Sequence, residues 1–375
     1  MRITKHKKTI HWLSRLVLKH TYSLSLCVFS VTVQATSIES NDHAVILMYH
    51  HVSTDTPPVT SVTPERFEQH IEYLLDHNFN VWPLSKVLTY MVSNRPLPPR
   101  TVVITFDDAY KSVYTEAFPI LKSNKLPFTV FVTTGYISDD NFNFMSWDQL
   151  RDIKLSGGEL GNHSDSHAHL IRRNNNETRH QWHTRVRNEI ITAQTKLEEQ
   201  TGNHLKAVAY PYGEYSTELK VILRELGYFG LGQHSGVMHR QSDLLAIPRY
   251  PIACGFDGLD DFSLKVSSLA LPVTVVSPGN GVLNKDTKIP ELNLHLHKGD
   301  YSKRDFACYA SGQGKIKLQW INKERGLVSV KANKTIEPGR TKYNCTAPSL
   351  SQKNVFYWFS YLWMKPQADG SWYVE

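Results

Sequence analysis

From about residue 44 to residue 251 the sequence alternates short apolar runs with longer amphipathic stretches, about seven times over roughly 220 residues. Four of the apolar runs are Ala44-Val45-Ile46-Leu47-Met48-Tyr49, Thr101-Val102-Val103-Ile104, Pro127-Phe128-Thr129-Val130-Phe131-Val132 and Lys206-Ala207-Val208-Ala209-Tyr210. They read as strands buried on both faces. Between them lie helical patterns. One opens at Pro64 with Thr63 as N-cap and Phe67, Ile71, Leu74 and Leu75 at helical spacing. Others are predicted over 84–92, 113–122, from 146 onward, 181–200 and 217–226. Strand–helix alternation of this kind calls for a parallel sheet with helices outside, most economically a barrel. An open doubly wound sheet is the alternative, but no glycine-rich phosphate loop follows the first run.

Around residue 265 the pattern changes. Short strands between turn signals are predicted over 272–277, 292–297, 306–310, 315–320, 327–331, 342–346, 355–363 and 372–374, with no convincing helix among them. This reads as a small all-β, sandwich-like domain. The run Val355-Phe356-Tyr357-Trp358-Phe359-Ser360-Tyr361-Leu362-Trp363 puts aromatics on both faces of one strand. One face packs in its own core; the other docks on the barrel or stays open for stacking on a ligand. Cys308 and Cys345 are candidates for a disulfide, which leaves Cys254 free.

The formal charge of +7 owes much to Arg2, Lys5, Lys7, Lys8, Arg15 and Lys19 near the start. The remainder is close to neutral, so charge gives no reason to expect nucleic-acid binding. The basic start precedes an apolar run from Leu24 to Val33 and the small-residue site Val33-Gln34-Ala35. Together they read as a signal peptide cut near Ala35, with an uncleaved anchor as the alternative. No later segment is apolar enough to cross a membrane, so no span is expected in the mature chain. The expected organisation is a leader over 1–35, an α/β barrel over 36–265 and a β-rich accessory domain over 266–375, secreted or held in the periplasm.

The run at 101–104 continues into Thr105-Phe106-Asp107-Asp108. In an α/β fold the C-terminal end of a strand is where ligands collect. Adjacent carboxylates there repel and resist burial, and a cation would relieve both. A second short strand, Glu159 to Asn162, runs into His163-Ser164-Asp165-Ser166-His167. On a helical turn, His163 and His167 at i, i+4 share one side and can share a metal. Taken singly each is a common accident: Asp-Asp is often a helix cap, His-x-x-x-His is often structural. His169 is i+2 from His167 and is expected to point elsewhere.

These two strings resemble the first two motifs of the polysaccharide deacetylase family (carbohydrate esterase family 4, the NodB homology domain), and Ala209-Tyr210-Pro211-Tyr212-Gly213 resembles the third. The resemblance covers roughly residues 44 to 255. It implies a distorted (β/α)7-8 barrel and metal-dependent removal of N-acetyl groups from GlcNAc-containing polysaccharide, such as poly-GlcNAc, chitin-like polymer or peptidoglycan. By motif, Asp108, His163 and His167 are the implied metal ligands and Asp107 the general base. The donor set suits Zn2+, with Ni2+ or Co2+ as substitutes. The backbone N–H of Tyr212 is the implied oxyanion donor. Arg249, in Pro248-Arg249-Tyr250-Pro251, resembles the arginine that orients the base, though a surface arginine beside a proline turn is an equal reading.

The leaving amine needs a general acid. Leu294-His295-Leu296-His297 matches the family's late Leu-x-His string but falls within the predicted β domain, and is read as an ordinary strand. Met48-Tyr49-His50-His51 instead ends the first strand, as in the periplasmic poly-N-acetylglucosamine deacetylases, which makes His50 the acid and His51 the reserve. Trp147 and Tyr110 either line the sugar groove or belong to the core. Two rivals stand beside this reading: a catalytically inactive glycan-binding protein of the same fold, and a hydrolase of another non-peptide C–N bond.

Overall fold

The computed structural model describes residues 42–138 and 140–374. The expected leader and Cys27 lie outside them. Among the described residues no helix is long and apolar enough to cross a membrane.

The buried runs form the barrel strands: β1 (His43–Tyr49), β2 (Thr101–Phe106), β3 (Thr129–Val132), β4 (Glu159–Asn162), β5 (Ala207–Ala209), β6 (Phe229–Leu231) and β7 (Tyr250–Pro251). Strands β1 to β6 neighbour one another in chain order and pair in parallel, and β7 pairs in parallel with β1. A parallel bridge from Leu231 to Ile247 leads from β6 toward that last strand. The sheet thus curls back on itself as a distorted barrel, with an antiparallel edge strand, Met238–His239, also on β1. All six residues of β2 are buried, which is why its sequence carries no polar alternation.

Helices α1 (Pro64–Asp76), α2 (Leu84–Val92), α3 (Phe118–Ser123), α4 (Trp147–Leu155), α5 (Arg179–Thr201), α6 (Thr217–Leu226) and α7 (Leu259–Val266) follow the strands. Their starts are chemically marked. Thr63, Ser146, Thr178 and Ser216 each accept the backbone N–H of the third residue of the helix. The single helix predicted over 113–122 is instead a π turn, Val113–Ala117, followed by α3. Pro119, which has no N–H to donate, sits in the first turn of α3, and the ladder is rearranged just before it.

After α7 the chain builds two facing sheets, antiparallel except for a short parallel edge strand at Leu269–Ala270. One contains β8 (Val273–Ser277), β9 (Glu291–Leu296), β11 (Lys317–Asn322) and β12 (Leu327–Lys331). The other contains β10 (Ala307–Ala310), β13 (Gly339–Pro348) and β14 (Phe356–Lys365). Leu292, Leu294, Val328, Val330, Tyr343 and Trp363 fill the space between. Cys308 and Cys345 lie opposite each other in the β10–β13 register and are joined by a disulfide. Along β14 the alternation divides the aromatics. Tyr357, Phe359, Tyr361 and Trp363 pack with the sandwich core. Trp358 turns the other way, onto the barrel core, and meets Tyr250 edge-on at 5.4 Å. The strand predicted at 372–374 is absent: Trp372 and Tyr373 leave the sheet and reach Arg172 and Glu214 of the barrel.

Candidate active site

Both aspartates leave the C-terminal end of β2 and are buried, but they have different surroundings. Asp107 is fully buried. Arg249, itself fully buried, clamps it with two parallel bonds: Nη1 donates to Oδ1 at 2.7 Å and Nη2 to Oδ2 at 2.8 Å. The guanidinium is held in turn, donating from Nε to the Gly232 carbonyl at 2.9 Å and from Nη1 to Thr105 Oγ1 at 3.2 Å. Burial alone pushes the Asp107 carboxyl upward. Arg249, then His163 and His50, overcome that, and the net shift is below the ordinary carboxylate value.

Asp108 faces the histidines. Its Oδ1 lies 3.2 Å from His163 Nε2 and 3.3 Å from His167 Nε2. These three side chains form the group of metal-competent donors found among the described residues. His163 Nδ1 bonds to the Ala209 carbonyl at 2.7 Å, which assigns the proton to Nδ1 and leaves Nε2 a lone pair. His163 Nε2 and Asp108 Oδ1 are buried with no hydrogen-bond partner. Two acceptors at that distance repel unless a cation or a proton lies between them. The residues therefore fit a divalent ion. A proton on His163 answers the same demand: burial lowers its pKa, but Asp108 and Asp107 outweigh burial and the net shift is upward. His167 is pushed down to about 4, by burial and then by His163, so at neutral pH it is the uncharged imidazole a metal needs.

The two histidines are not on a helical turn. Ser164 and His167 take positive φ, 64° and 56°, and the loop is closed by side chains. The Ser164 N–H donates to Asn162 Oδ1 at 2.9 Å, and the His167 N–H to Ser164 Oγ at 3.0 Å. Asp108, Ala109 and Tyr212 are also left-handed, at 72°, 62° and 59°. Non-glycine residues resist that region by about 1–3 kcal/mol each. All five cluster at the rim where the candidate residues meet.

His50 follows β1 and places Nε2 4.0 Å from Asp107 Oδ2. His51 stacks on Tyr110, ring centroids 3.6 Å apart, and its pKa is pushed down to about 4, first by burial and then by His50. Tyr110 stacks in turn on Phe144, Phe144 meets Tyr136, and His167 meets Tyr212, so aromatic rings border the carboxylates on both sides. Trp147 packs against the barrel core instead. His295 and His297 lie within or beside β9, where His297 Nε2 bonds to Thr274.

Some contributions are not readable from side-chain type: Thr105 and Ala209, within the quoted strings, act through a hydroxyl and a carbonyl, and Gly232, outside them, acts through a carbonyl. His169 does point away from Asp108, but not idly: it stacks on Tyr212 at 3.7 Å and bonds to buried Glu214 at 2.9 Å.

Residues 94–230 match the family model for polysaccharide deacetylase. The chain is similar to a poly-beta-1,6-N-acetyl-D-glucosamine N-deacetylase of Staphylococcus aureus, 26% identical over 198 residues, covering 52% of this chain and 68% of the relative. Among solved structures, the Streptococcus pyogenes deacetylase PplD superposes with a TM-score of 0.54 at 23% identity, covering 60% of this chain and 98% of that one. IcaB from Ammonifex degensii does so at 0.50 and 25%, covering 56% and 92%.

Proposed function

We propose that this chain, whose residues 94–230 match the polysaccharide deacetylase model and which is similar to a poly-beta-1,6-N-acetyl-D-glucosamine N-deacetylase, is a hydrolase of non-peptide carbon–nitrogen bonds: an exported, metal-dependent N-deacetylase of GlcNAc-containing polysaccharide. The observation that carries this is the division of the aspartate pair: Asp108 shares one oxygen with two imidazoles, while Asp107 is clamped by Arg249. Asp108, His163 and His167 would hold the ion, with zinc the best match to two imidazoles and a carboxylate and nickel or cobalt as substitutes. Such a cation supplies Lewis acidity to the acetyl carbonyl and acidifies the attacking water.

The chain's own residues do the rest. Asp107, kept ionised by Arg249, takes the proton from the attacking water. The Tyr212 N–H donates to the oxygen that gains charge as the carbonyl becomes tetrahedral. His50 gives a proton to the departing amine. Arg249 touches no substrate; it fixes the base. The aromatic rings beside the site suit stacking on pyranose faces, and the S. aureus relative's name supports poly-GlcNAc as the polymer to try first. Export is supported by the basic and apolar N-terminal sequence and by the Cys308–Cys345 disulfide, which suits an oxidising compartment. In this reading residues 36–265 form the catalytic barrel and 266–375 the accessory unit. The test is acetate release from poly-N-acetylglucosamine, chitin oligomers and peptidoglycan, with and without chelator. Release from none of them, or release that chelation leaves untouched, removes the proposal.

A further inference from the structure

Trp358 seats the β unit on the flank of the barrel, which is ordinary docking. Two other contacts from beyond residue 266 fall elsewhere, on the single loop that carries Tyr212. Arg340, on β13, donates from Nη1 to the Tyr212 carbonyl, and its guanidinium lies 5.8 Å from the Tyr212 ring. The partners are 128 residues apart in the chain. On the other side of the loop, the Tyr212 ring rests on His169. His169 bonds to Glu214, and Glu214 also accepts from Arg172 at 2.9 Å and from the Tyr373 hydroxyl. Arg172 ties the tail down again by donating to the Tyr373 carbonyl at 2.8 Å.

The Tyr212 loop needs this grip. Tyr212 sits at φ 59° and ψ 5°, a conformation a tyrosine does not keep unless its surroundings impose it. The barrel itself supplies two short-range bonds, Gly213 N–H to the Tyr210 carbonyl at 2.8 Å and Glu214 N–H to the Pro211 carbonyl at 3.2 Å. A hydrogen-bond donor aimed at developing charge acts only if its direction is fixed before the reaction.

We propose that Arg340 is a positioning residue of the active site: by holding the Tyr212–Gly213 peptide at its carbonyl it keeps Tyr212 in its left-handed conformation, and so fixes the direction of the adjoining Pro211–Tyr212 peptide whose N–H has the oxyanion role, with Tyr373 bracing the same loop through Glu214. The accessory β unit is then a working part of the deacetylase, not an appended carrier. This rests on the function and the Tyr212 role proposed above.

The test uses the full-length chain, loaded with metal, and N-acetylglucosamine oligomers as substrate. Arg340→Ala, Arg340→Lys and Tyr373→Phe are compared with the unaltered protein for kcat, KM, bound metal and folded fraction. Misaiming one group by an ångström can cost about 100-fold and losing an oxyanion donor about 100- to 1,000-fold. Arg340→Ala is therefore expected to lower kcat ~10-fold or more per metal-loaded folded molecule, with KM within about twofold. Arg340→Lys, which keeps a cationic donor, is expected to recover part of the loss, and Tyr373→Phe to lower kcat in the same direction. An active parent with an unchanged kcat in Arg340→Ala overturns this proposal alone. So does a loss that disappears once activity is expressed per folded molecule. A parent that releases no acetate from any substrate overturns the proposed function and this inference with it.

Discussion

Arg249 and Asp107 meet in a bidentate pair with both side chains wholly removed from solvent, although 142 residues separate them. Removing one partner of such a pair strands the other charge, at a cost of about 3–5 kcal/mol. The Asp107 carboxyl is held below its ordinary value, so the ionised form is lost only as pH falls through that depressed value.

The first prediction follows from that sign. Arg249→Met leaves burial, the largest influence, opposed only by the nearby imidazoles. The Asp107 pKa then rises, and the acidic limb of the kcat/KM profile moves to higher pH. An acidic limb that stays where it was in Arg249→Met separates Asp107 from the proton-transfer step.

Asp107 and His163 are predicted to fail differently. Asp107→Asn keeps the ion, since Asp107 is not in the three-donor group, and loses at least 100-fold in acetate release. His163→Ala loses the ion, which metal analysis of purified protein reads without any assay. Equal metal content in the two variants contradicts the division of roles.

His50 and His51 are neighbours with unequal prospects. The His50 ring is 4.0 Å from Asp107, while His51 is stacked on Tyr110 and uncharged at neutral pH. His50→Ala is expected to lower kcat about 100-fold or more, as loss of a general acid does, and His51→Ala much less. The reverse ranking exchanges their roles.

The Cys308–Cys345 bridge spans 37 residues of the β unit. Closing a loop of that length is worth about 3–4 kcal/mol on the chain-entropy account. Double replacement by alanine is expected to lower the denaturation midpoint of the β unit, followed by tryptophan fluorescence. An unchanged midpoint removes the bridge from the stabilising contacts.

The barrel was legible because its strands are buried on both faces, which forces continuous apolar runs such as Thr101 to Phe106. The capping residue Thr63 was legible for a local reason as well, since a cap acts within three residues. The motifs foretold which side chains would gather, but not how. His163 and His167 reach one carboxylate through a strained loop closed by Asn162 and Ser164, whereas their spacing alone suggested a helical turn. Arg249 read equally well as a surface residue, because its burial depends on where β7 closes against β1. Arg340 and Tyr373 carried no signal at all: each meets its partner across more than a hundred residues, and nothing in their neighbours' sequence marks the contact.

The placement of Arg249 also bears on the order in which the protein becomes active during synthesis. The first two motifs are complete by residue 167, and the third by residue 213. Until the segment around Arg249 has emerged and closed the barrel, Asp107 lacks the guanidinium that clamps it, and an enclosed carboxyl with only the nearby imidazoles to oppose burial takes up a proton more readily. On the roles proposed above, a half-made chain has its candidate ligands before its candidate base is clamped, and Arg340 and Tyr373 join the Tyr212 loop later still, so activity is expected only once the chain on both sides of residue 266 has been made.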